Sequence, residues 1–90
     1  MVPPETNAEA AATLALGALS WVLADSERAR RFLDITGITP DGLRARAGTP
    51  AFLAAVLGYL ENHEPDLVAC ADALEVAPED LTRARRVLEP

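Results

Sequence analysis

The stretch Thr36-Gly37-Ile38-Thr39-Pro40-Asp41-Gly42-Leu43 reads as the end of one helix and the beginning of another. Glycine reaches the left-handed conformation that closes a helix without a Cβ clash, and an aliphatic residue just beyond it, here Ile38, packs back on the last turn. Threonine before proline is a helix start. The hydroxyl accepts from an unpaired first-turn amide, and proline at the first helical position lacks an N–H that would have no partner there. Asp41 adds a carboxylate at the positive end of the helix dipole.

The same punctuation recurs along the chain. Thr49-Pro50 opens another helix, as do Pro65 with Asp66 and Pro78 with Glu79 and Asp80, while upstream Asp25 is placed to cap a helix beginning at Ser26. Before it, Leu14, Ala18 and Trp21, with Leu16, Leu19 and Leu23, recur at helical spacing and give a broad apolar face. The expected helices are therefore 7–24, 26–36, 40–48, 50–62, one from Pro65 and one from Pro78 to the end. Residues 1–6, with Pro3 and Pro4, are expected to form a loose arm. The fold class is all-α, a compact six-helix domain over residues 7–90.

A spacing of 38 residues pairs helices 1, 2 and 3 with helices 4, 5 and 6. Leu14 falls on Phe52, Leu19 on Leu57, Trp21 on Tyr59, Ile38 on Val76, Pro40 on Pro78 and Leu43 on Leu81. Matched apolar and proline positions of this kind predict two pseudo-repeated three-helix units, 7–48 and 49–90, neither able to bury its apolar face alone.

Composition narrows the function classes. At 90 residues there is room for one core. Half of the residues are hydrophobic, mostly Ala and Leu, which favours closely packed helices over sheets. The formal net charge is −6, which disfavours a generic nucleic-acid or anionic-membrane binder, since non-specific phosphate affinity needs positive potential. Every basic residue is arginine; an Ala- and Arg-rich chain without lysine suggests a GC-rich bacterial genome. Cys70 stands alone, so no intramolecular disulfide forms and a reducing cytoplasm is the expected compartment. Residues 1–9 contain no basic segment of the secretory type. The uncharged run 10–24 falls short of the ~20 residues of a membrane span and is expected to be a core helix.

The segments 18–36, 37–46 and 49–60 carry a Thr-Gly-aliphatic-Ser/Thr-Pro turn and a Pro-Ala-Phe-Leu helix start. In these the chain resembles a family of short, uncharacterised bacterial proteins of the domain-of-unknown-function type, common in alphaproteobacteria. The resemblance covers nearly the whole chain and implies a fold, with no activity, cofactor or ligand attached.

Catalytic and metal constellations are not legible. His63, the single histidine, stands among Glu61, Asn62, Glu64 and Asp66 in what reads as a polar interhelix turn, with no second imidazole or thiolate at ligand spacing. Cys70 lies beside Leu67, Val68, Ala71 and Leu74, as a small buried hydrophobe would. Ser20 and Ser26 lack a nucleophile-elbow context, the glycines are scattered singly, and the acidic pairs sit at helix starts where the dipole explains them. No catalytic residue, cofactor or metal site is therefore expected.

What remains is an interaction module that binds another protein or a second copy of itself through an apolar helical face rimmed by arginines. Trp21 and Tyr59 are candidate anchors, although the favoured reading of the pair is as the two central aromatics of the repeat core. The alternative is a helix-turn-helix nucleic-acid binder using Arg83, Arg85 and Arg86, which requires those three on one exposed face; Glu79 and Asp80 at the leading end of that helix oppose it.

Overall fold

The computed structural model describes residues 4–90, and side-chain surroundings from residue 7 onward. The helices are α1 Pro4–Ala24, α2 Ser26–Thr36, α3 Pro40–Arg46, α4 Pro50–Glu61, α5 Glu64–Ala73 and α6 Pro78–Leu88. The all-α expectation holds, and no strand occurs among the described residues. The radius of gyration, 12.4 Å, is that of a compact domain of this length, for which ~12 Å is expected.

Each sequence-level cap is realised as a hydrogen bond. Asp25 Oδ2 accepts from the Arg28 amide at 2.9 Å, Thr39 Oγ1 from Gly42 at 3.0 Å and Thr49 Oγ1 from Phe52 at 3.3 Å. Gly37 sits at φ 73°, its N–H donating to the Leu33 carbonyl at 2.9 Å. α6 differs, because its N-cap is Ala77, which has no side-chain acceptor; the Asp80 carboxylate reaches back to the Ala77 amide at 2.9 Å instead. The turn before it passes through Glu75 at φ 60°, a left-handed position of the kind glycine fills at Gly37.

Five boundaries differ from expectation, those of α4 and α5 by one residue and that at the end of α6 by two, besides the start of α1 and the end of α3. α1 begins at Pro4, three residues before the expected start, because proline suits the first helical turn and no breaker separates it from Asn7. The rest of the expected arm, residues 1–3, lies outside the described residues. α3 ends at Arg46, and Ala47 and Gly48 form a turn.

The core is built by α1, α4 and α6, which pack on one another more extensively than any other pairs. α4 contributes Phe52, Leu53, Val56, Leu57, Tyr59 and Leu60, all buried, and so lies at the centre. α1 supplies a small-residue face of Ala11, Ala15 and Ala18, with Leu19 and Val22, that lets α4 and α6 approach closely. α6 closes the third side with Leu81, Ala84 and Leu88, while α5 lies more lightly across all three and inserts Cys70 and Ala71. By length and mean hydropathy, 1.2 over Asn7–Ala24, α1 would also suffice to cross a membrane; here its inner face is spent on this core.

α2 packs chiefly on α1, and α3 has no buried residue and no comparable pairing with any helix. The 38-residue correspondence is thus not matched in packing: α6 is wedged between α1 and α4, whereas its sequence counterpart α3 stands at the periphery. Leu81 is fully buried and its counterpart Leu43 only partly so.

Candidate interaction surface

Trp21 and Tyr59 have different surroundings. Tyr59 is a core residue, 7% exposed, its ring edge-on to Phe32 and stacked on the His63 ring at 4.4 Å. It therefore cannot anchor a partner in this conformation. Trp21 is half-buried at the end of α1, where the Arg28 guanidinium lies 3.7 Å over its ring and also donates to the Trp21 carbonyl. That single arginine completes a cation–π contact and caps the C-terminal end of α1, which has no glycine to do so. Its Nε is nonetheless buried without a hydrogen-bond partner.

The α6 arginines do not form one free face. Arg85 turns toward α4 and is held between Glu61 and Glu89, whose carboxylates, Glu61 first, raise its guanidinium further above the ordinary range. Arg83 is exposed but paired with Asp80, and only Arg86 is both exposed and without an ion pair among the described residues. The one-face requirement of the nucleic-acid reading at these positions is not met, because Arg85 completes the α4–α6 interface.

A second polar cluster joins α2, α4 and α5. Arg31 of α2 pairs with Asp66 of α5 at 2.9 Å, spanning 35 residues of sequence. The Tyr59 hydroxyl beside it, then Asp66, raise the Arg31 guanidinium above its ordinary range. That hydroxyl is buried and makes no well-formed hydrogen bond among the described residues. His63 Nδ1 lies 2.8 Å from the Tyr59 carbonyl, and a shallow cleft of about 390 Å³ opens beyond, lined by Arg31, Asn62, His63, Glu64, Pro65 and Asp66. Nearby Cys70 is fully buried, and burial pushes its thiol up to about 11, the positive charge of Arg28 offsetting only part of this. Such a thiol is protonated at neutral pH and a poor nucleophile. No group of His, Cys, Asp and Glu among the described residues is placed to hold a metal ion.

A further arginine-rich surface is carried by α2 and α3, a helical hairpin joined by the turn at residues 37–39. Residues 26–46 carry Arg28, Arg30, Arg31, Arg44 and Arg46 against Glu27, Asp34 and Asp41, a formal +2 within a chain of −6. Arg44 pairs with Asp41, whereas Arg30 and Arg46 are exposed and unpaired among the described residues. Ile35 is 55% exposed on the same hairpin, and Leu16 and Leu23, seven residues apart on one face of α1, are also exposed. The signal was present in the sequence as the clustering of arginines by helix. Which cluster stays free was not, since that depends on which carboxylates the fold brings to each. No curated protein and no solved structure matches this sequence. The model of the family described as "Protein of unknown function (DUF3572)" matches residues 8–90, and the chain belongs to that family.

Proposed function

We propose that the chain is a non-catalytic interaction module that engages a protein partner through the α2–α3 hairpin. The observation that carries this reading is charge segregation. Five of the eight arginines lie on the one helical pair that contributes least to the core, and the remaining body is left with a formal −8. Opposed potentials of this kind steer association and set orientation. Exposed Ile35 on the same hairpin adds an apolar contact to Arg30 and Arg46, which are exposed and unpaired among the described residues. We take the cytoplasm as its compartment; the free, buried Cys70 thiol supports this.

Affinity capture from a lysate with tagged protein, beside an Arg30→Glu, Arg46→Glu double variant of unchanged circular dichroism, tests the reading. A protein retained by the wild type and lost in the variant is the expected result. Nucleic acid retained at low salt and released by higher salt, with no protein lost in the variant, would replace it with the nucleic-acid reading.

A further inference from the structure

We propose that the α2–α3 hairpin exchanges between two copies of the chain, each hairpin seating on the other copy's body. This rests on the reading of the hairpin as the interaction element and adds that its partner is a second copy.

α2 to α3 turns through Gly37 and Pro40, α3 to α4 through Gly48 and Pro50, α4 to α5 is interrupted at Pro65 and α5 to α6 at Pro78. α1 to α2 has neither glycine nor proline: a single residue, Asp25, at φ −114° and ψ 127°, separates Ala24 from Ser26. Rotating Asp25 into the helical region would fuse α1 and α2 into one helix. The carbonyls of Val22, Leu23 and Ala24 would then pair with the amides of Ser26, Glu27 and Arg28, three backbone bonds that the break leaves unmade. Against this stand two caps, the Asp25 carboxylate on the Arg28 amide and the Arg28 guanidinium on the Trp21 carbonyl. The two forms are therefore close in local energy, and the hinge is short, the circumstance in which identical elements exchange between copies.

The seat determines the occupant. A hairpin swung out leaves behind the Tyr59 ring that Phe32 meets, the Asp66 carboxylate that Arg31 pairs with and the Trp21 ring that Arg28 covers. It also exposes Phe32, otherwise 1% exposed. The surface with the matching apolar plug and cations is the same hairpin of another copy, and the reciprocal exchange closes as a two-fold dimer with no unfilled seat.

Two substitutions push the hinge in opposite directions. Ser26→Pro suits the closed form, because proline is favoured at the first helical position and requires an extended residue before it, as Asp25 is, yet it blocks a continuous helix. Asp25→Ala removes the first cap and favours fusion. Light scattering over a protein concentration series should show the dimer of Asp25→Ala tightened roughly twenty-five-fold, two lost caps, one per copy, each worth about a factor of five. Adding Ser26→Pro should return it to monomer. Exchange itself is read by mixing separately purified Arg31→Glu and Asp66→Arg chains. In their heterodimer, one seat pairs Glu with Arg and the other keeps the native pair, so native mass spectrometry should show more heterodimer than either homodimer. Asp25→Ala that remains folded and monomeric, or a dimer indifferent to Ser26→Pro, overturns the exchange. In either case, a different protein captured by the wild type and lost on Arg30 and Arg46 reversal would leave the hairpin's interaction role standing.

Discussion

The ring of Phe32 meets that of Tyr59 edge-on, with centroids 5.0 Å apart and planes at 87°, and this contact ties the α2–α3 hairpin to α4, while α2 otherwise packs chiefly on α1. An edge-to-face pair contributes beyond the area it buries, and here both rings are almost fully enclosed. Phe32→Ala is expected to cost about 3 kcal/mol or more of stability. Hydrogen exchange should show α2 and α3 losing protection well before α1, α4 and α6; uniform loss across all six helices would show the hairpin to be an integral part of the core.

Cys70 supplies a pH signature. Its thiol titrates near 9 when unfolded and at about 11 in place, so the folded state holds a proton that the unfolded state releases between these values. Stability from this group is complete below pH 9 and falls as pH rises toward 11, by an amount of order 2 kcal/mol. Urea denaturation at pH 8 and pH 10.5 should show a decline that Cys70→Ala lacks. At neutral pH a thiol reagent should modify Cys70 only at the rate of local opening.

α6 starts at a proline, yet the residue before it cannot cap by its side chain, Ala77 standing where Thr39 and Thr49 serve α3 and α4. The backbone at Ala77, φ −81° and ψ 151°, is already that of the two threonines. Ala77→Thr should therefore stabilise the protein by about 1 kcal/mol, read as a raised thermal midpoint. No change would indicate that the Asp80 contact with the Ala77 amide already satisfies this end of the helix.

Two glycines should respond with opposite signs. Gly17 lies inside α1, and a Cβ there would meet Leu74 Cδ2 at 3.4 Å, an ordinary contact, so Gly17→Ala should gain about 0.5–1 kcal/mol from helix propensity. Gly37, at φ 73°, has open space around it, yet Gly37→Ala should lose about 1 kcal/mol because the backbone itself disfavours a side chain there. Thermal unfolding of the two variants checks both; equal shifts would show that the local backbone argument fails.

The helix boundaries were legible in the sequence because they are decided within four residues. Thr39-Pro40, Thr49-Pro50, Asp25 and Gly37 act through their own side chains or dihedral freedom, and each occupies the role read for it. α1 ran longer at its start because a proline at the first turn looks the same in sequence whether a helix begins there or later. The 38-residue correspondence saw apolar spacing, which α3 and α6 share, but not depth, which they do not.

The sequence by itself determined six helices, one free cysteine, an acidic total and an arginine distribution sorted by helix, since composition and short-range spacing suffice for these. Only the tertiary structure decided which aromatic is enclosed and which arginines are spent. Tyr59 and Trp21 occupy equivalent places in the sequence pattern, yet one is sealed between Phe32 and His63 while the other is covered by a single guanidinium. Arg85 is neutralised by Glu61 from 24 residues away and Arg31 by Asp66 from 35, leaving Arg30, Arg46 and Arg86 exposed and without an ion pair among the described residues. Pairings across such distances depend on how whole helices stack, and helix stacking follows from side-chain volume and depth, which periodicity does not encode.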